Sequence, residues 1–523
     1  MLLTRLFIRR CKQRKRISKV ADSTGADLTG GSLLLRSLIL RRLIRRVIGD
    51  DEKYVGLLLP PSAGGAVSNM ALALDRRIAV NLNYTVSSQV LNSCIEQCGM
   101  KHILTSRKFM EKMKFDLDAE LVYLEDFKDK PSLSDKISAA IATYVLPAAM
   151  VDWMLGLDKL SEDDVLTVIF TSGSTGQPKG VMLTYGNVGS NAQAINDVVH
   201  IGSHDVLLGI LPFFHSFGYT VTLWTAMTLD AKGAYHFSPL ESKQVGKLCE
   251  KHNGTILLST PTFLRSYLKR CEAKQFDSLE VVVTGAEKLP SDLCDKFEEK
   301  FDVRPVEGYG ATETSPLTSV NVPASRSPIG DGSDAREGTV GRPVPGVTAR
   351  VVNPDTGEEL ATGEAGMLHV KGPNIMKGYL GREDLTNEVI KDGWYITGDI
   401  AKLDEDGFIQ ITGRVSRFSK IGGEMVPHGT VEEAMAELVG QEEEVIIAIT
   451  AVADERKGER LIVVHKPLSK TPAELCNALK ESGLPNLYIP SQDSFMEVDE
   501  IPILGSGKLD LKLLKSLAEE KFG

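Results

Sequence analysis

The sequence predicts an α/β protein. We expect a large N-terminal domain of helix-covered, mostly parallel sheets, a small β subdomain and a small mobile α/β C-terminal domain. Three observations support this class. The chain has 523 residues, which is too long for one hydrophobic core. Its composition, 42% hydrophobic and 25% charged, is that of an ordinary globular protein. Apolar strand patterns alternate with helical patterns over residues 50–310, which is typical of a parallel sheet covered by helices.

The predicted elements follow in chain order. Tyr54–Leu59 and Ile78–Asn81 have the short apolar pattern of strands, and Ser87–Cys98 has the pattern of a helix. Further strands are predicted near residues 165–171, 205–211, 254–259, 279–284 and 303–307, with helices between them, whereas residues 110–160 are less regular and are expected to be peripheral. The β subdomain is predicted from short strands separated by turn residues at Val347–Val352, Gly366–Val370 and Phe408–Thr412.

These patterns predict three parts of the chain. Residues 1–49 form a basic N-terminal extension with a first helix, residues 50–415 form the main domain, and residues 416–523 form the mobile C-terminal domain. The second boundary lies in the turn-rich stretch Gly413–Gly423.

The N-terminal segment is strongly basic. Residues 1–46 contain thirteen Lys and Arg against two Asp, a net charge of +11, although the whole chain carries −10. Within the helix predicted at Leu33–Ile48, apolar pairs alternate with a basic stripe, which consists of Arg41, Arg42, Arg45 and Arg46. The stripe is either the solvated face of a core helix or a surface that contacts anionic lipid or an acidic protein.

Composition also excludes several classes of protein. No apolar stretch of about 18 residues predicts a transmembrane helix, and no apolar core of a secretory signal follows the basic start. The seven cysteines are scattered, with only Cys94 and Cys98 close together, so neither a disulfide framework nor a zinc site is expected. We expect a cytoplasmic protein, with peripheral contact at the inner face of the membrane through the basic N-terminus as an option, and no nucleic-acid partner.

The most informative segment is a glycine-rich loop, Thr171–Gly180, which reads TSGSTGQPKG and follows the apolar run Val165–Phe170. The order predicts a buried strand, a polar loop and a helix that begins near Thr184. Backbone N–H groups, hydroxyls and a lysine together can hold phosphate oxygens. The loop is not a Walker loop, because Gly180 follows Lys179. The alternative is a mobile Ser/Gly linker.

Four further segments carry chemically useful side chains. A histidine, His215, lies among aromatic residues at the end of a predicted strand, in LPFFHSFG. The segment Gly308–Thr314, GYGATET, combines a ring, hydroxyls and a carboxylate just past another strand. Tyr395–Asp399, YITGD, presents a carboxylate in a turn. Gly505–Lys508, GSGK, places a lysine on a loop with two glycines.

Together the five segments resemble the adenylate-forming superfamily that includes acyl-CoA synthetases and firefly luciferase, from about residue 50 to the end. The resemblance implies that residues 50–415 are an AMP-binding (adenylating) domain and that the C-terminal domain carries a catalytic lysine. It also implies a two-step reaction. A carboxylate attacks the α-phosphate of ATP to give an acyl-adenylate and pyrophosphate, and a thiol then displaces AMP to give a thioester.

The resemblance assigns roles to residues of this sequence. The phosphate-binding group is Thr171, Ser172, Gly173, Ser174, Thr175, Gly176 and Lys179. The adenine- and ribose-binding group is Gly285, Ala286, Glu287, Gly308, Tyr309, Gly310, Thr312 and Asp399. Glu313 would bind Mg²⁺, which prefers oxygen ligands. Lys508, with Arg414 beside Asp399, would act in catalysis, since Lys508 stabilises the negative charge that builds at the α-phosphate. His215 would gate the acyl tunnel or the thiol route.

Each role has a structural alternative. Tyr309 and His215 are also compatible with core side chains, and Glu313 with the start of a surface helix. Asp399 would otherwise close a turn, and Lys508 would be a solvated lysine.

The predicted hinge distinguishes this chain within the superfamily. Arg417 stands where most members carry Asp or Lys, Lys420 follows, and Gly423 matches the glycine that lines the thiol channel. The string RFSKIGGEMV is similar to the synthetase half of the bacterial bifunctional acyl-ACP synthetase/acylglycerophosphoethanolamine acyltransferase. An HxxxxD acyltransferase signature is not found ahead of the synthetase region. His200 and Asp205 match that spacing but fall inside the region.

The expected function is therefore an ATP-dependent, AMP-forming ligase for a medium- or long-chain fatty acid. Its cofactors would be ATP and Mg²⁺, and its acceptor coenzyme A or the phosphopantetheine of acyl carrier protein, which is acidic and would be attracted by a basic face. The alternatives are a ligase for an aryl or short-chain acid, one that serves a polyketide-type carrier, and a non-catalytic binding module on the same fold.

Overall fold

The computed structural model describes residues 2–111, 113–172, 177–327, 334–414, 417–421, 424–440, 445–454, 456–482, 484–503 and 509–523. The chain divides into two compact units. The first consists of Met1–Ala349, His369–Tyr395 and Asp404–Gln410, and the second of Arg350–Leu368, Ile396–Leu403 and Ile411–Gly523.

The α-helices of the described residues are α1 Leu3–Gln13, α2 Gly30–Val47, α3 Ala63–Leu74, α4 Ser88–Cys98, α5 Arg107–Met110, α6 Leu133–Tyr144, α7 Ala148–Met154, α8 Tyr185–Val199, α9 Thr225–Thr228, α10 Ser242–His252, α11 Pro261–Arg270, α12 Ser291–Phe301, α13 Glu383–Val389, α14 His428–Val439, α15 Pro472–Glu481 and α16 Leu511–Phe522. A π-helical segment spans Phe217–Trp224.

The strands are β1 Ser18–Asp22, β2 Asp27–Thr29, β3 Tyr54–Leu58, β4 Ile78–Asn81, β5 His102–Thr105, β6 Glu120–Tyr123, β7 Val165–Ser172, β8 Pro178–Thr184, β9 Val206–Gly209, β10 Lys232–Tyr235, β11 Ile256–Ser259, β12 Val281–Thr284, β13 Val306–Gly310, β14 Leu317–Val320, β15 Arg342–Pro343, β16 Thr348–Val352, β17 Gly366–Lys371, β18 Gly378–Tyr379, β19 Ile390–Lys391, β20 Trp394–Leu403, β21 Ile409–Arg414, β22 Phe418–Ile421, β23 Glu424–Pro427, β24 Ile447–Asp454, β25 Gly458–His465 and β26 Phe495–Glu497.

The larger sheet of the first unit has nine strands in the order β15-β14-β13-β12-β11-β9-β10-β1-β2. The six strands from β13 to β1 run parallel. Strands β9, β11 and β12 are buried at every position, which explains why they are continuous apolar runs without alternation. The parallel arrangement brings the carboxyl ends of β12 and β13 side by side, with Thr284 paired to Glu307.

The second sheet of this unit has seven strands in the order β18-β8-β7-β4-β3-β5-β6. The strands from β7 to β6 are parallel, and β8 and β18 are added antiparallel at one edge. Helix α3 is buried along nearly its whole length, and Asn69 on it exchanges two side-chain hydrogen bonds with Asn81 of β4. The predicted class, with mostly parallel helix-covered sheets, is confirmed.

Residues 2–49 are an integral part of the first unit. Strand β1 joins the nine-stranded sheet parallel to β10, and helices α1 and α2 contribute buried side chains such as Phe7 and Leu34 to the core. The helix predicted at Leu33–Ile48 is present as α2. Helix α1 was not predicted because its four cations hide the apolar pattern, and strands β1 and β2 were not predicted because they are only five and three residues long.

The basic stripe of α2 faces carboxylates of the same unit. Arg46 Nη2 lies 2.7 Å from both carboxylate oxygens of Asp135, and Arg41 Nε lies 3.1 Å from Asp75 Oδ1. The side chains of both aspartates are only 3% exposed. Hydrogen bonding from Arg46 lowers the pKa of Asp135 to about 2. These contacts give the stripe a structural role on a core helix, but through ion pairs with buried aspartates and not as the solvated face that was one of the two predicted interpretations.

The second unit contains a sheet in the order β23-β22-β25-β24, with β26 paired to β25. Helices α14 and α15 cover a core that includes Ile449 and Val463, and α16 packs on β24. None of the helices in the described part of the chain is both long and apolar enough to cross a membrane.

Candidate active site

The glycine-rich loop lies at the tip of a β-hairpin. Thr171 at the end of β7 pairs with Lys179 at the start of β8, and Phe170 pairs with Gly180. The sequence predicted strand, loop and helix. Instead, a second strand stands between the loop and helix α8, which begins at Tyr185 with the Thr184 side chain as its N-cap. The four loop residues Gly173–Gly176 lie outside the described residues, as does the side chain of Ser172.

Beside the hairpin, two predicted site residues, Lys179 and Glu313, both contact Tyr379, which the sequence did not predict. Strand β18 pairs with β8, so that Tyr379 lies opposite Val181. The Tyr379 hydroxyl donates a 2.8 Å hydrogen bond to Glu313 Oε1, and Lys179 Nζ lies 5.3 Å from the centroid of the Tyr379 ring. Burial, and next the Glu313 charge, raises the pKa of Tyr379, so the phenol stays a donor at neutral pH. Tyr379 thus links the candidate phosphate-binding lysine to the candidate metal ligand.

The segment around Glu313 is fixed by backbone contacts. The Glu313 carbonyl accepts a 2.8 Å hydrogen bond from the Met376 N–H, and residues Thr312–Thr314 form a 3₁₀ turn. Thr312 Oγ1 lies 3.4 Å from Ser216 Oγ, so this turn adjoins the segment that carries His215. Gly310 cannot be replaced without a clash, because a Cβ there would lie 1.8 Å from the Pro316 carbonyl oxygen.

Most of the residues predicted to bind adenine and ribose lie at or just past the adjacent ends of β12 and β13. Gly285 follows β12, and a Cβ on it would lie 3.5 Å from the Gly308 carbonyl oxygen and 3.4 Å from the Phe217 ring. Ala286 has a φ of +69°, a conformation that side-chain-bearing residues rarely adopt and that is often found at functional sites. Tyr309 lies in β13 opposite Ser319. We call the region beside Gly285, Gly308 and Tyr309 at these two strand ends the candidate adenine slot.

Glu287 has a partner outside this slot. Its Oε2 accepts hydrogen bonds from the N–H and the hydroxyl of Thr262, at 3.2 and 2.7 Å, in the first turn of α11. A carboxylate is favoured at a helix N-terminus.

His215 is exposed at the start of an unusual segment. Its N–H donates to the Pro212 carbonyl and its carbonyl accepts from the Tyr219 N–H. The π-helical segment Phe217–Trp224 follows, and such segments are frequent at functional sites. A Cβ on Gly218 would lie 2.2 Å from the Pro212 carbonyl oxygen, so this turn requires glycine.

A fully apolar cavity of about 30 Å³ lies under this segment. Phe217 both lines the cavity and contacts the Gly285 position. The other lining residues come from α8, the π-helical segment and the central strands: Ile195, Val199, Ile201, Leu207, Val221, Ile256, Leu258, Val281, Val283, Leu317 and Val320.

In the second unit, Asp399 and Arg414 form an ion pair. Arg414 Nε lies 2.6 Å from Asp399 Oδ1, while the Asp399 side chain is buried and that of Arg414 is largely exposed. The Asp399 N–H donates to the Thr397 hydroxyl, which in turn donates to the Leu368 carbonyl. Asp399, which was predicted to bind ribose, and Arg414, which was predicted to act in catalysis beside it, are therefore joined by an ion pair.

The predicted hinge is described only in part. The Arg417 guanidinium forms an ion pair with Glu432, which also accepts a 2.6 Å hydrogen bond from the Ile449 N–H. Lys420 lies in β22, but its side chain, as well as the whole of Gly423 and Lys508, lies outside the described residues. The structure therefore places neither the candidate catalytic lysine nor the thiol-channel glycine.

Outside these segments, one cluster of acidic residues forms ion pairs with an arginine. His204, Asp205 and Glu280 have ligand atoms within 4.8 Å of one another. Arg326 lies between the two carboxylates, with Nη2 2.6 Å from Asp205 Oδ1 and 2.7 Å from Glu280 Oε2. Asp205 of the HxxxxD spacing noted in the sequence therefore belongs to a structural ion pair with Arg326, and His200 contributes only its backbone carbonyl, which accepts a 3.5 Å hydrogen bond from Arg326.

Comparison with known proteins assigns the chain to a family. Residues 7–380 match the AMP-binding enzyme family, and the chain belongs to that family. The predicted superfamily is confirmed. The match begins well before residue 50, from which the motif resemblance was drawn, in agreement with the integral position of residues 2–49.

Individual relatives are similar over most of the chain. The long-chain-fatty-acid–CoA ligase of Bacillus subtilis (strain 168) is 34% identical over 374 residues, which cover 69% of this chain and 62% of that protein. A feruloyl-CoA synthase of Amycolatopsis sp is 30% identical over 365 residues, which cover 69% of this chain and 70% of that protein. The ATP-bound structure of MatB from Rhodopseudomonas palustris has the same fold, with a TM-score of 0.79, 23% identity and 100% of both chains covered.

Proposed function

We propose that the protein is an AMP-forming acid–thiol ligase that activates a medium- or long-chain fatty acid as an acyl-adenylate. The observation that carries this proposal is the contact of Tyr379 with both Glu313 and Lys179 beside the glycine-rich hairpin. This contact supports the proposal because it brings a lysine that would hold phosphate near a carboxylate that would bind a metal. Family membership and the names of the two relatives agree with the same reaction class.

The candidate site residues have side chains of the types that bind Mg²⁺ and ATP. Glu313 offers a carboxylate oxygen, the ligand type that Mg²⁺ prefers, and is held in place by Tyr379 and by its own backbone. Bound Mg²⁺ would neutralise charge on the phosphates. Lys179 and the hairpin tip would hold the β- and γ-phosphates, and the slot between Gly285 and Gly308 would hold adenine beside Tyr309.

The remaining roles rest on the resemblance together with local geometry. The paired Asp399 and Arg414 present a carboxylate that would accept hydrogen bonds from the ribose hydroxyls. Lys508 would stabilise the charge that develops between the acid and the α-phosphate, an effect worth several kcal/mol in a water-excluded site. His215 would act at the route by which the acid or the thiol enters.

The apolar cavity supports an apolar acid as substrate. It is lined only by apolar side chains and shares Phe217 with the candidate adenine slot. Its volume of about 30 Å³ is that of a single water molecule, so a long chain would enter only if lining side chains such as Phe217 moved. An aryl acid, as the name of the Amycolatopsis relative suggests, is the second candidate.

For the acceptor we propose coenzyme A or the phosphopantetheine arm of acyl carrier protein. The carrier is suggested by the hinge string RFSKIGGEMV and by the basic N-terminal region, whose exposed cations include Lys15, Arg16 and Arg36. The Arg41–Arg46 stripe lends less support, because its ion pairs lie within the fold.

The proposal is tested by ATP–pyrophosphate exchange across a panel of fatty, aryl and short-chain acids, followed by thioester formation with coenzyme A and with acyl carrier protein. Exchange driven by long-chain acids supports the fatty-acid assignment, and exchange only with aryl or short acids overturns it. Equal or better turnover with coenzyme A than with acyl carrier protein would assign coenzyme A as the acceptor and overturn the argument for the carrier from the hinge string and the basic N-terminal region. Exchange without thioester on either thiol points to a different acceptor.

A further inference from the structure

Helices α6 and α7 present an unusual apolar face to solvent. Of the thirteen exposed large hydrophobic side chains among the described residues, eight lie between residues 133 and 154. Their spacing of three or four residues places them along one side of each helix. They are Leu133, Ile137, Ile141, Tyr144, Val145, Met150, Trp153 and Met154. Leu133, Val145 and Trp153 are 73%, 72% and 69% exposed, so this face, the α6–α7 face, is far from buried.

The opposite sides of both helices are already occupied. Helix α6 packs on α2, and α7 packs on α1. Arg46 binds Asp135 of α6, and Arg5 and Arg9 bind Asp152 of α7 at 3.1 and 2.8 Å. Lys12 Nζ donates to three carbonyl groups at the end of α6, at 2.6 to 2.9 Å. Because the opposite sides of both helices are packed and ion-paired, the α6–α7 face is directed away from the core.

Exposed cations adjoin the face. Gly31 contacts both the Tyr144 ring and the Lys15 carbonyl, since a Cβ there would lie 2.8 and 2.7 Å from them. Tyr144 therefore lies next to the exposed segment formed by Lys15, Arg16 and Ile17. Lys136 is exposed on α6 itself. An apolar, aromatic surface edged by cations matches the interface of an anionic bilayer, where tryptophan and tyrosine rings are enriched.

Charge favours a lipid surface over a second copy of the chain. A dimer through this face would bring the exposed cations Lys15, Arg16 and Lys136 of two copies together, and their mutual repulsion would oppose it. An acidic protein would complement the exposed cations but not the apolar side chains of the face. An anionic bilayer complements both, since its headgroups attract the cations and its acyl chains accommodate the apolar side chains.

We propose that the α6–α7 face docks the protein on an anionic bilayer, with the apolar side chains in the headgroup and upper acyl region and Lys15, Arg16 and Lys136 at the phosphates. This inference concerns a surface that contains none of the candidate site residues, and it does not depend on the proposed reaction.

The test is flotation of the full chain with vesicles of phosphatidylcholine alone and of phosphatidylcholine mixed with phosphatidylglycerol. We expect binding to the anionic vesicles, weakening with salt, and at least an approximately tenfold loss of binding in the double variant Val145→Glu/Trp153→Glu. Leu240→Glu, at an exposed leucine elsewhere in the same unit, is the matched control and should bind like the wild type. Thermal melting checks that every variant is folded.

A second readout is the tryptophan emission of a Trp394→Phe background, which removes the half-buried third tryptophan. The emission of Trp153 should shift to shorter wavelength with anionic vesicles, while the fully buried Trp224 contributes a constant signal. Three results would overturn the proposal. They are no vesicle binding by the wild type, undiminished binding by the double variant, or a wild-type dimer in sedimentation that the double variant abolishes.

Discussion

Among single residues, Tyr379 makes the most informative contact of the candidate site. We expect Tyr379→Phe to raise the Mg²⁺ concentration needed for half-maximal pyrophosphate exchange about tenfold, because Glu313 loses a hydrogen bond to a charged oxygen. Titration of exchange activity with Mg²⁺ measures this shift.

The control for that variant is Tyr123→Phe, on β6 at the opposite edge of the same sheet. An unchanged Mg²⁺ requirement in Tyr379→Phe would mean that the tyrosine only packs against the hairpin. A loss of melting temperature with no change in Mg²⁺ dependence would lead to the same conclusion.

Lys508 carries the prediction with the largest effect. Lys508→Ala should reduce adenylation by at least about two orders of magnitude while ATP binding stays largely intact, because the proposed role of the lysine is to stabilise charge that develops during the reaction. Exchange kinetics and equilibrium ATP binding, measured side by side, separate the two effects. The exposed neighbour Lys512, changed to Ala, should behave like the wild type. Parallel loss of ATP binding in Lys508→Ala would assign the lysine to ground-state binding.

The sequence predicted some of these residues and could not predict others. Lys179 and Glu313 were found because each lies in a distinctive local string. Tyr379 was missed because it lies 66 residues from Glu313, and only the antiparallel pairing of β18 with β8 brings the two together. The contact of Glu287 with Thr262 of α11 could not be predicted from local sequence either, because the two residues are 25 positions apart.

Between elements, the ion pairs that join α2 to α6 make a prediction about stability. Asp135 has a folded-state pKa of about 2, below the ordinary value of about 3.9. A depressed carboxyl pKa stabilises the folded state above the unfolded-state value, and this stabilisation is lost as the pH falls towards the folded-state value. Asp135→Asn should therefore lower the first melting transition at neutral pH by a few degrees.

The difference in melting temperature between the wild type and Asp135→Asn should shrink between about pH 4 and pH 2. Asp129→Asn, at an exposed position just before α6, serves as the control and should show little change at any of these pH values. A difference that stayed constant over this pH range would show that the amide disturbs packing and that the Arg46 ion pair contributes little.

Helices and strands were predicted well where burial determines the order of apolar and polar residues. Strands β4, β11 and β12 were located to within about two residues, since a strand buried on both faces must be an apolar run. Strand β8 was missed because it begins inside the polar string after the glycine-rich loop. Helix α1 was missed because its cations bind Asp152, a partner more than a hundred residues away, so that a highly charged segment is nevertheless largely buried.

For the whole molecule, the fold class was predictable because the alternation of strands and helices extends over hundreds of residues. The proposed two-step reaction makes a further prediction at this scale. Gly423→Leu should spare acid-dependent pyrophosphate exchange and block thioester formation, because a side chain would fill the proposed thiol channel. Single-turnover assays of the two half-reactions measure the two effects separately. Loss of both together would show that Gly423 has no role specific to the second step.

The central claim is that the protein couples an acid to AMP formation. The most direct measurement is the identification of the phosphorus-containing products by ³¹P NMR when ATP, Mg²⁺, a long-chain fatty acid and coenzyme A are supplied. The account predicts AMP and pyrophosphate in equal amounts, formed only when the acid is present. Formation of ADP and inorganic phosphate, or turnover that is independent of every acid supplied, would contradict it.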